Sequence, residues 1–456
     1  MSALVRIILL SATAWGALIG CASVPREAGF SDVERLVQDR LGKRIRWIQG
    51  APEDAEVEKI LREILARPLT VEDAVEVALL NNRGLQATYE ELGIAQADLV
   101  QAGLLRNPGI SASARFPLEA PNGTNLGFDV VASFLSLLNR PAKKAIAESE
   151  FEEVKLRVAH AVLDVAAETR SAYYTAVGSR QITEMRRMIA KATEASSEYA
   201  QRLYEAGNIS ELAMTLERTS HEEARREWAK AEAESAGARE RLSKLLGLWG
   251  EDIKWKAPDR LPDVPAKELP LERAEAIALT RRLDLAAAKL ETKTLLMALE
   301  LAGRWRGIGE VDIGASAERE TDGQWVVGPA LSLGAPLFDQ GQAEIARAGA
   351  LLRAHENRMM ALAVEIRSDV RALRDRLMMN RYRIEHSLKV IIPLREKAVA
   401  LTQEQWNFML VGAFELIESK KREFDAYQEY IEAVQDYWIS RSDLIRALGG
   451  EVPDER

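Results

Sequence analysis

Four short stretches of the chain alternate between apolar and polar residues, and they occur as two pairs. In the first pair, apolar residues occupy every second position over 110–116 and 126–132, on either side of the turn-forming segment 117–124. The second pair covers 311–318 and 324–332 around Thr321-Asp322-Gly323. A period of two gives a strand one apolar and one polar face, so the pattern predicts two β-hairpins.

The polar positions of these strands carry charges, which favours a face turned to water. The charged residues are Arg115, Asp129, Asp312 and Glu318. Such strands suit a transmembrane barrel with lipid outside and water inside, although two ordinary hairpins on a soluble core are an alternative. About eight strands are needed to close a barrel, so four membrane strands require oligomerisation. Three protomers would supply twelve strands.

Two long stretches, 139–206 and 339–411, contain few residues that stop a helix. We expect Pro141 to be tolerated in a first turn and Pro393 to make a kink. Apolar residues recur every three or four positions, as a coiled-coil seam requires. At about 1.5 Å per residue, each stretch would reach on the order of 100 Å. A helical bundle with unrecognised breaks is the alternative. The seam residues are Phe151, Val154, Val158, Ala161 and Val165, then Met359, Leu362, Ile366, Val370, Leu373 and Leu377.

The chain repeats itself at a constant offset of 200 residues. Residues 69–87 (LTVEDAVEVALLNNRGLQA) align without gaps with residues 269–287 (LPLERAEAIALTRRLDLAA). The agreement continues at Ala102-Gly103 and Ala302-Gly303. We therefore expect two copies of one unit, each with a helix pair (70–106 and 270–306), two strands, a long helix and a returning helix.

The first residues have the pattern of an export signal. Arg6 precedes an apolar run from Ile7 to Ile19, which is too short for a confident transmembrane helix. The run ends in Leu18-Ile19-Gly20-Cys21, which resembles the bacterial lipobox. The resemblance implies cleavage before Cys21 and a covalent lipid on its sulfur, whereas an ordinary signal peptide with an incidental cysteine is the alternative. Ala22-Ser23, with no aspartate, favours the outer membrane.

Composition and charge narrow the function classes. The formal net charge is −9, and Lys and Arg are interleaved with Glu and Asp, which argues against a nucleic-acid partner. The single cysteine rules out an intrachain disulfide framework. The four histidines lack metal-ligand spacing, and no phosphate-binding loop or nucleophile elbow occurs, so we expect no enzyme and no cofactor besides the lipid on Cys21.

The residues that follow the fourth strand resemble a known family. Trp325–Leu333, then Pro336-Leu337-Phe338-Asp339-Gln340-Gly341-Gln342, are similar to the strand-to-helix junction of TolC-type outer-membrane efflux proteins. The resemblance covers nearly all of 68–449, although Leu137–Pro141 of the first copy departs from it. It implies a mainly α fold with a small β part, in which long antiparallel helical hairpins form an α-barrel. Four strands per protomer would join a trimeric, twelve-stranded transmembrane β-barrel.

We divide the chain accordingly, with the non-repeated parts contributing to an equatorial collar around the helices. The predicted parts are a signal peptide (1–20), an acylated N-terminal segment (21–66), the first repeat (67–247), a linker (248–267), the second repeat (268–449) and a C-terminal tail (450–456).

Each long helix ends at a glycine, and these two turns are the predicted periplasmic tips. A glycine with positive φ would end the helix and reverse the chain, and Ser210 would cap the next helix. By resemblance, Val411, Gly412 and Ala413 dock a periplasmic adaptor, and Ala206, Gly207 and Asn208 occupy the equivalent turn. Turns without a partner are the alternative. The resemblance also implies inward-facing carboxylates beyond the second tip. Glu418 takes the first such position, Lys421 departs from the second, and Glu415 is a further candidate for a lumen gate.

The predicted function is therefore the outer-membrane channel of a tripartite export system in a Gram-negative bacterium. The expected partners are two further copies of the chain, a periplasmic adaptor, an inner-membrane pump and outer-membrane lipid. The pump class and the cargo, whether drug, metal cation or polypeptide, stay open. The alternative is a periplasmic coiled-coil lipoprotein that acts as an adaptor or tether and has no pore.

Overall fold

The computed structural model describes residues 23–52, 54–116, 118, 123–268, 272–304 and 307–451 of the chain. Cys21 and the signal segment lie outside these residues. Within them, the predicted duplication is visible in the order of elements, because each copy runs helix pair, two strands, long helix and returning helix. The chain is mainly helical, as the sequence predicted.

The helices before and within the first copy are α1 to α6, and those of the second copy are α7 to α11. Their bounds are α1 Phe30–Leu41, α2 Asp54–Leu65, α3 Val71–Asn81, α4 Arg83–Gly103, α5 Phe134–Glu205, α6 Glu211–Leu245, α7 Ala274–Arg281, α8 Leu283–Arg304, α9 Gln342–His386, α10 Ile392–Asn407 and α11 Ala413–Ala447.

Helix α5 has 72 residues and is about 108 Å long at ~1.5 Å per residue. It begins at Phe134, directly after a strand, so the expectation that Pro141 lies in the first turn was wrong. Pro141 lies inside the helix, where its missing N–H costs one intrahelical hydrogen bond. Of the five predicted seam residues, Phe151 and Val158 are buried, whereas Val154, Ala161 and Val165 are partly exposed.

The α-helix is interrupted by a π-helical turn just before Pro393. A π-helical turn spans Ser387–Ile391, and α10 begins immediately after it, with Pro393 in its first turn. The amide of Ile392 donates to the carbonyl of Ser387, five residues earlier. The wider turn accommodates a residue that has no N–H to donate. The predicted seam residues Ile366, Val370 and Leu377 of α9 are buried, whereas Met359, Leu362 and Leu373 are partly exposed.

The four strands form one antiparallel sheet in the order β1-β2-β3-β4, with β1 Gly109–Arg115, β2 Asn125–Ser133, β3 Val311–Arg319 and β4 Trp325–Leu333. Strands β1 and β2 belong to the first copy and β3 and β4 to the second. Ladder pairs between β2 and β3, such as Val130 with Ala315, join the two copies. The turn at Gly323, whose φ is 88°, closes the β3–β4 hairpin as predicted.

Contacts divide the chain into two compact units that mix residues of both copies. One unit contains the sheet and consists of Glu90–Arg157, Ala286–Met360 and the described residues up to Ser31. The other consists of Asp32–Tyr89, Val158–Leu285 and the described residues from Ala361 onward. The predicted boundaries between the repeats therefore do not coincide with the boundaries of these compact units.

The second unit has a hydrophobic core where α3, α5 and α6 meet. Leu69, Leu242 and Leu246 are fully buried there, beside Trp255 of the linker. The Tyr173 hydroxyl donates to the Leu69 carbonyl over 2.9 Å, and the Trp255 indole N–H donates to Ser243 Oγ over 3.0 Å. Both buried polar groups are satisfied, so the linker is fixed to the helices by packing and by hydrogen bonds.

An ion pair between Arg282 and Asp284 lies at the junction of α7 and α8 in the same unit. Arg282 lies between the two helices and donates to both carboxylate oxygens of Asp284, over 3.0 and 2.6 Å. Burial acts to raise the pKa of Asp284, but the bonds from Arg282 and the charges of Arg282 and His160 hold that pKa below its usual range.

Candidate functional sites: the strand surface and the helical tips

One face of the sheet is apolar along all four strands. Cross-strand partners share a face, and the row Ala112, Phe128, Ala317 and Val327 runs across the whole sheet. The row through Ile110, Val130, Ala315 and Pro329 lies beside it. No residue of these fully described strands is buried. The chain therefore presents a continuous apolar surface, as the alternation predicted, with Arg319 at the end of β3 as its one charged residue.

The opposite face is small and polar. Asp129 accepts a hydrogen bond from Ser111 Oγ over 3.1 Å, and Asn125 Nδ2 donates to Glu318 Oε1 over 2.6 Å. The register places the four predicted charges, Arg115, Asp129, Asp312 and Glu318, on this face. One positive and three negative charges give it a formal net charge of −2.

The sheet ends in two unpaired edges. Strand β1 pairs with β2 and strand β4 with β3, and no further strand of the described chain continues the sheet beyond either of them. An open edge presents a row of backbone N–H and C=O groups that another strand can pair with. The described chain therefore leaves both edges of the sheet open.

The first tip has the geometry that the sequence predicted. Gly207 has φ 73° and follows the end of α5. Its amide donates to Tyr204 O over 2.9 Å, and the amide of Asn208 donates to Leu203 O over 2.8 Å, which is a Schellman motif. Ser210 then accepts from the Ala213 amide and caps α6. Ala206, Gly207 and Asn208 are exposed.

The second tip reverses the chain differently. The residue with positive φ is Met409, at 59°, and not Gly412, whose φ is −82°. The Met409 amide donates to Trp406 O and the Leu410 amide to Gln405 O, again a Schellman motif. Gly412 is instead the N-cap of α11. The expectation that Gly412 reverses the chain was therefore wrong, although Gly207 does so.

A methionine in the left-handed region is unusual, and its neighbours are unusual too. Phe408, Met409 and Leu410 are 77%, 92% and 74% exposed. Sequence reasoning selected Val411, Gly412 and Ala413 and missed this triplet. Three consecutive large apolar residues at a helix end were the available signal. The second tip therefore carries an apolar surface that the turn at Gly207 lacks.

The gate candidates lie in the first turns of α11. Glu418 accepts a hydrogen bond from Arg422 over 3.1 Å, so an adjacent guanidinium partly neutralises its charge. Glu415 is exposed, close to where a side chain at residue 412 would lie. Lys421 also lies in α11, at the position where the family resemblance implied a second carboxylate.

Two contacts between the hairpins were not predicted. Arg186 of α5 forms an ion pair with Asp425 of α11, with nitrogen and oxygen 3.4 Å apart. The rings of Tyr199 and Phe414 lie 6.0 Å apart. We call these two pairs the inter-hairpin contacts. Periodicity describes one helix at a time, so the sequence held no signal for pairs that are more than 200 residues apart.

No group of three or more His, Cys, Asp or Glu side chains among the described residues is arranged to hold a metal ion. Across the described ranges, we find no helix both long and apolar enough to cross a membrane.

Comparisons with known proteins place these features in context. A family model described as outer membrane efflux protein matches residues 74–248. The cobalt-zinc-cadmium resistance protein CzcC of Cupriavidus metallidurans is 22% identical over 395 residues, covering 84% of this chain and 91% of that protein.

Solved structures share the fold at low sequence identity. The CmeC outer membrane channel of Campylobacter jejuni matches with a TM-score of 0.72 at 14% identity, covering 83% of this chain and 85% of CmeC. The outer membrane protein VceC of Vibrio cholerae matches with a TM-score of 0.66 at 16% identity, covering 87% of this chain and 96% of VceC.

Proposed function

This chain belongs to the outer membrane efflux protein family, and from that premise we propose that it is one of three protomers of an outer-membrane export channel. The supporting observation is the sheet, which has one apolar face, one charged face and two unpaired edges. In lipid, each unpaired backbone group costs several kcal/mol, so the edges must be covered by other copies. Three copies supply twelve strands, which is enough to close a barrel.

Conduction in this arrangement requires no catalysis. The apolar face meets lipid and the polar face lines water, which is how a transmembrane strand divides its side chains. Solute passes through the channel once the partner proteins have opened it. An inner-membrane pump and a periplasmic adaptor supply the energy and the connection, and no enzymatic role is proposed for this chain.

We assign adaptor docking to the two tips. The exposed triplet Phe408–Leu410, with Val411, Gly412 and Ala413, supplies apolar surface at the second tip, and Ala206, Gly207 and Asn208 form the first. Exposed apolar groups of this kind mark protein contact sites. Because Gly412 has an ordinary φ, a substitution there tests docking without forcing the backbone.

Cation cargo is favoured over anion cargo. The polar face has a formal charge of −2 per protomer, or −6 in a trimer, and rings of carboxylates attract cations. The similarity to a protein named for cobalt, zinc and cadmium resistance agrees with a divalent metal ion as the cargo.

The lipid anchor and the location complete the proposal. Cys21, in the lipobox-like sequence, would carry a covalent lipid after removal of residues 1–20 and hold the N-terminus at the outer membrane of a Gram-negative cell. The helices would then extend into the periplasm. Cys21→Ser is expected to remove incorporation of radiolabelled palmitate, and retained label would contradict the assignment.

Purified protein in a planar bilayer provides the decisive test. We expect a trimer that resists dissociation by SDS without heating and that produces discrete, cation-selective current steps. A periplasmic tether without a pore would produce no current. That result would overturn the proposed channel.

Docking has its own test. Val411→Trp and Gly412→Arg are expected to abolish export in a strain that lacks the native gene, with unchanged trimer yield, because bulk at the tip blocks the adaptor. Gly412→Ala is the matched control and should export normally. Normal export by the two bulky variants would exclude these residues from docking.

A further inference from the structure

Trp249 is an exposed aromatic side chain on a rigid turn. The residue is 82% exposed, and it lies between Gly247 and Gly250, whose φ angles are 66° and 63°. Large aromatic side chains are normally buried, so a tryptophan held in solvent away from the strands requires an explanation.

Several hydrogen bonds fix the turn that presents Trp249. Asn81 Nδ2 donates to the carbonyls of Leu246 and Gly247, both over 2.9 Å. The Leu248 amide donates to Ser243 O over 3.0 Å. A Cβ at residue 247 would come within 2.6 Å of the Asn81 carbonyl oxygen, so only glycine allows this approach. The indole is therefore presented by backbone that loses little freedom on binding.

A groove of about 650 Å³ lies beside the indole. Its apolar side is formed by Val57, Leu61 and Leu65 of α2, and its polar side includes Asn81, Arg83 and Asp252. Sites for small polar ligands combine an apolar surface with a few hydrogen-bonding groups in this way.

The charge of the groove restricts its ligand. Four carboxylates of the groove face Arg62 and Arg83, and two of them pair with cations just outside it, Asp54 with Arg46 and Glu251 with Lys254, so the groove is close to neutral. A groove without a surplus of Lys and Arg does not favour phosphate-rich polymers such as nucleic acids. A neutral, hydroxyl-rich and amide-rich ligand with flat apolar faces is favoured.

We propose that the Trp249 groove binds the glycan strand of the cell wall, a polymer of N-acetylated amino sugars. The apolar C–H face of a sugar ring stacks on the indole, and the acetamido and hydroxyl groups bond to Asp252, Arg83 and neighbouring groups. The inference extends beyond conduction and rests on the proposed function only for the location in the periplasm, where this polymer is found. Its role would be to hold the channel in the wall.

Purified trimer in detergent is sedimented with cell-wall sacculi that have been stripped of protein. We expect the native trimer to sediment with the sacculi and chitin oligosaccharides to displace it. Trp249→Ala should weaken binding by about tenfold, since one stacked aromatic ring contributes on the order of that factor. Trp406→Ala, at another partly exposed tryptophan, should bind like the native protein. Trp249→Phe should bind with intermediate strength.

Three outcomes would overturn the proposal. The first is equal binding by native protein and Trp249→Ala. The second is equally strong, Trp249-dependent binding to purified lipopolysaccharide, which would make an outer-membrane glycolipid the ligand. The third is an acrylamide quenching curve that Trp249→Ala leaves unchanged, which would show that another copy covers Trp249. Bilayer conductance of the same preparations separates these results from a failure of channel function.

Discussion

The two tips show how single residues determine chain reversal. Both helices end in the same Schellman hydrogen bonds, but the left-handed position holds Gly207 in the first and Met409 in the second. Glycine takes this conformation without penalty, whereas a side chain costs on the order of 1–2 kcal/mol. A methionine at such a site is consistent with selection for the exposed side chain and not for the backbone.

At this scale we predict a contrast between two glycine substitutions. Gly207→Ala should destabilise the last turn of α5 by about 1–2 kcal/mol, because φ 73° is unfavourable for alanine. Amide hydrogen exchange of that turn should accelerate by about tenfold. Gly412→Ala, with φ −82°, should leave exchange at the second tip unchanged, since only the flexible Glu415 side chain must move. Equal acceleration in both variants would contradict the conformational explanation.

A second residue-scale prediction concerns acid stability. The depressed pKa of Asp284 means that its ionised form stabilises the fold. This stabilisation is present above the unfolded pKa of about 3.9 and is lost as pH falls through the lower folded value.

We therefore expect Asp284→Asn to reduce stability by about 2 kcal/mol at pH 7 and by progressively less as the pH falls below about 4. Far-UV circular dichroism melting curves at several pH values measure this. Asp375→Asn, at an exposed aspartate, should show little effect at any pH. A pH-independent loss in Asp284→Asn would refute the ionic explanation.

At the scale of elements, the long helical stretches contain prolines, which sequence rules treat as helix breaks. Pro141 lies within α5, and Pro393 follows a π-helical turn instead of a simple kink. Helix continuity through each proline is stabilised by side-chain packing along the seam, which propensity alone does not describe. Single π-helical turns inside α-helices often occur at functional sites.

The inter-hairpin contacts lead to a prediction about opening. Arg186→Ala should increase single-channel conductance, because the Arg186–Asp425 ion pair holds α5 against α11. The pair is partly exposed and stabilises the contact between α5 and α11 by about 0–1 kcal/mol, and the proposed trimer would sum three such terms.

The double exchange Arg186→Asp with Asp425→Arg should restore the native conductance, since it rebuilds the pair with reversed charges. Planar-bilayer recordings at low and high salt measure both variants, and the difference should shrink at high salt. A native conductance in Arg186→Ala at both salt concentrations would show that this pair does not control conductance.

At the scale of the whole molecule, the pairing of β2 with β3 joins the two copies into one sheet. This pairing makes the apolar face continuous, from Ile110 of the first copy to Leu331 of the second. In the proposed trimer, membrane insertion and closure of the barrel would therefore depend on strands from both copies.

Lysine substitutions at two adjacent valines test which face of the sheet contacts lipid. Val327→Lys places a charge on the apolar face and should cost about 2–4 kcal/mol per protomer if it lies near the bilayer centre. We expect a loss of SDS-resistant trimer and of protein in the outer-membrane fraction. Val326→Lys, on the polar face, is the matched control and should assemble. Assembly of both variants would refute the assignment of the faces.

The sequence by itself determined most features whose signal is local, although it missed the left-handed Met409. Alternation identified the four strands and their faces, the 200-residue offset identified the duplication, and Gly207 and Ser210 marked the first tip. These features depend on residues a few positions apart or on direct self-similarity, which a linear chain displays.

Only the tertiary structure decided what depends on distant residues meeting. It set the strand order that joins the copies, paired Arg186 with Asp425, and placed Trp249 beside a groove. Pairings of this kind follow from three-dimensional packing and register, for which a hydrophobic pattern along one strand or helix holds no information.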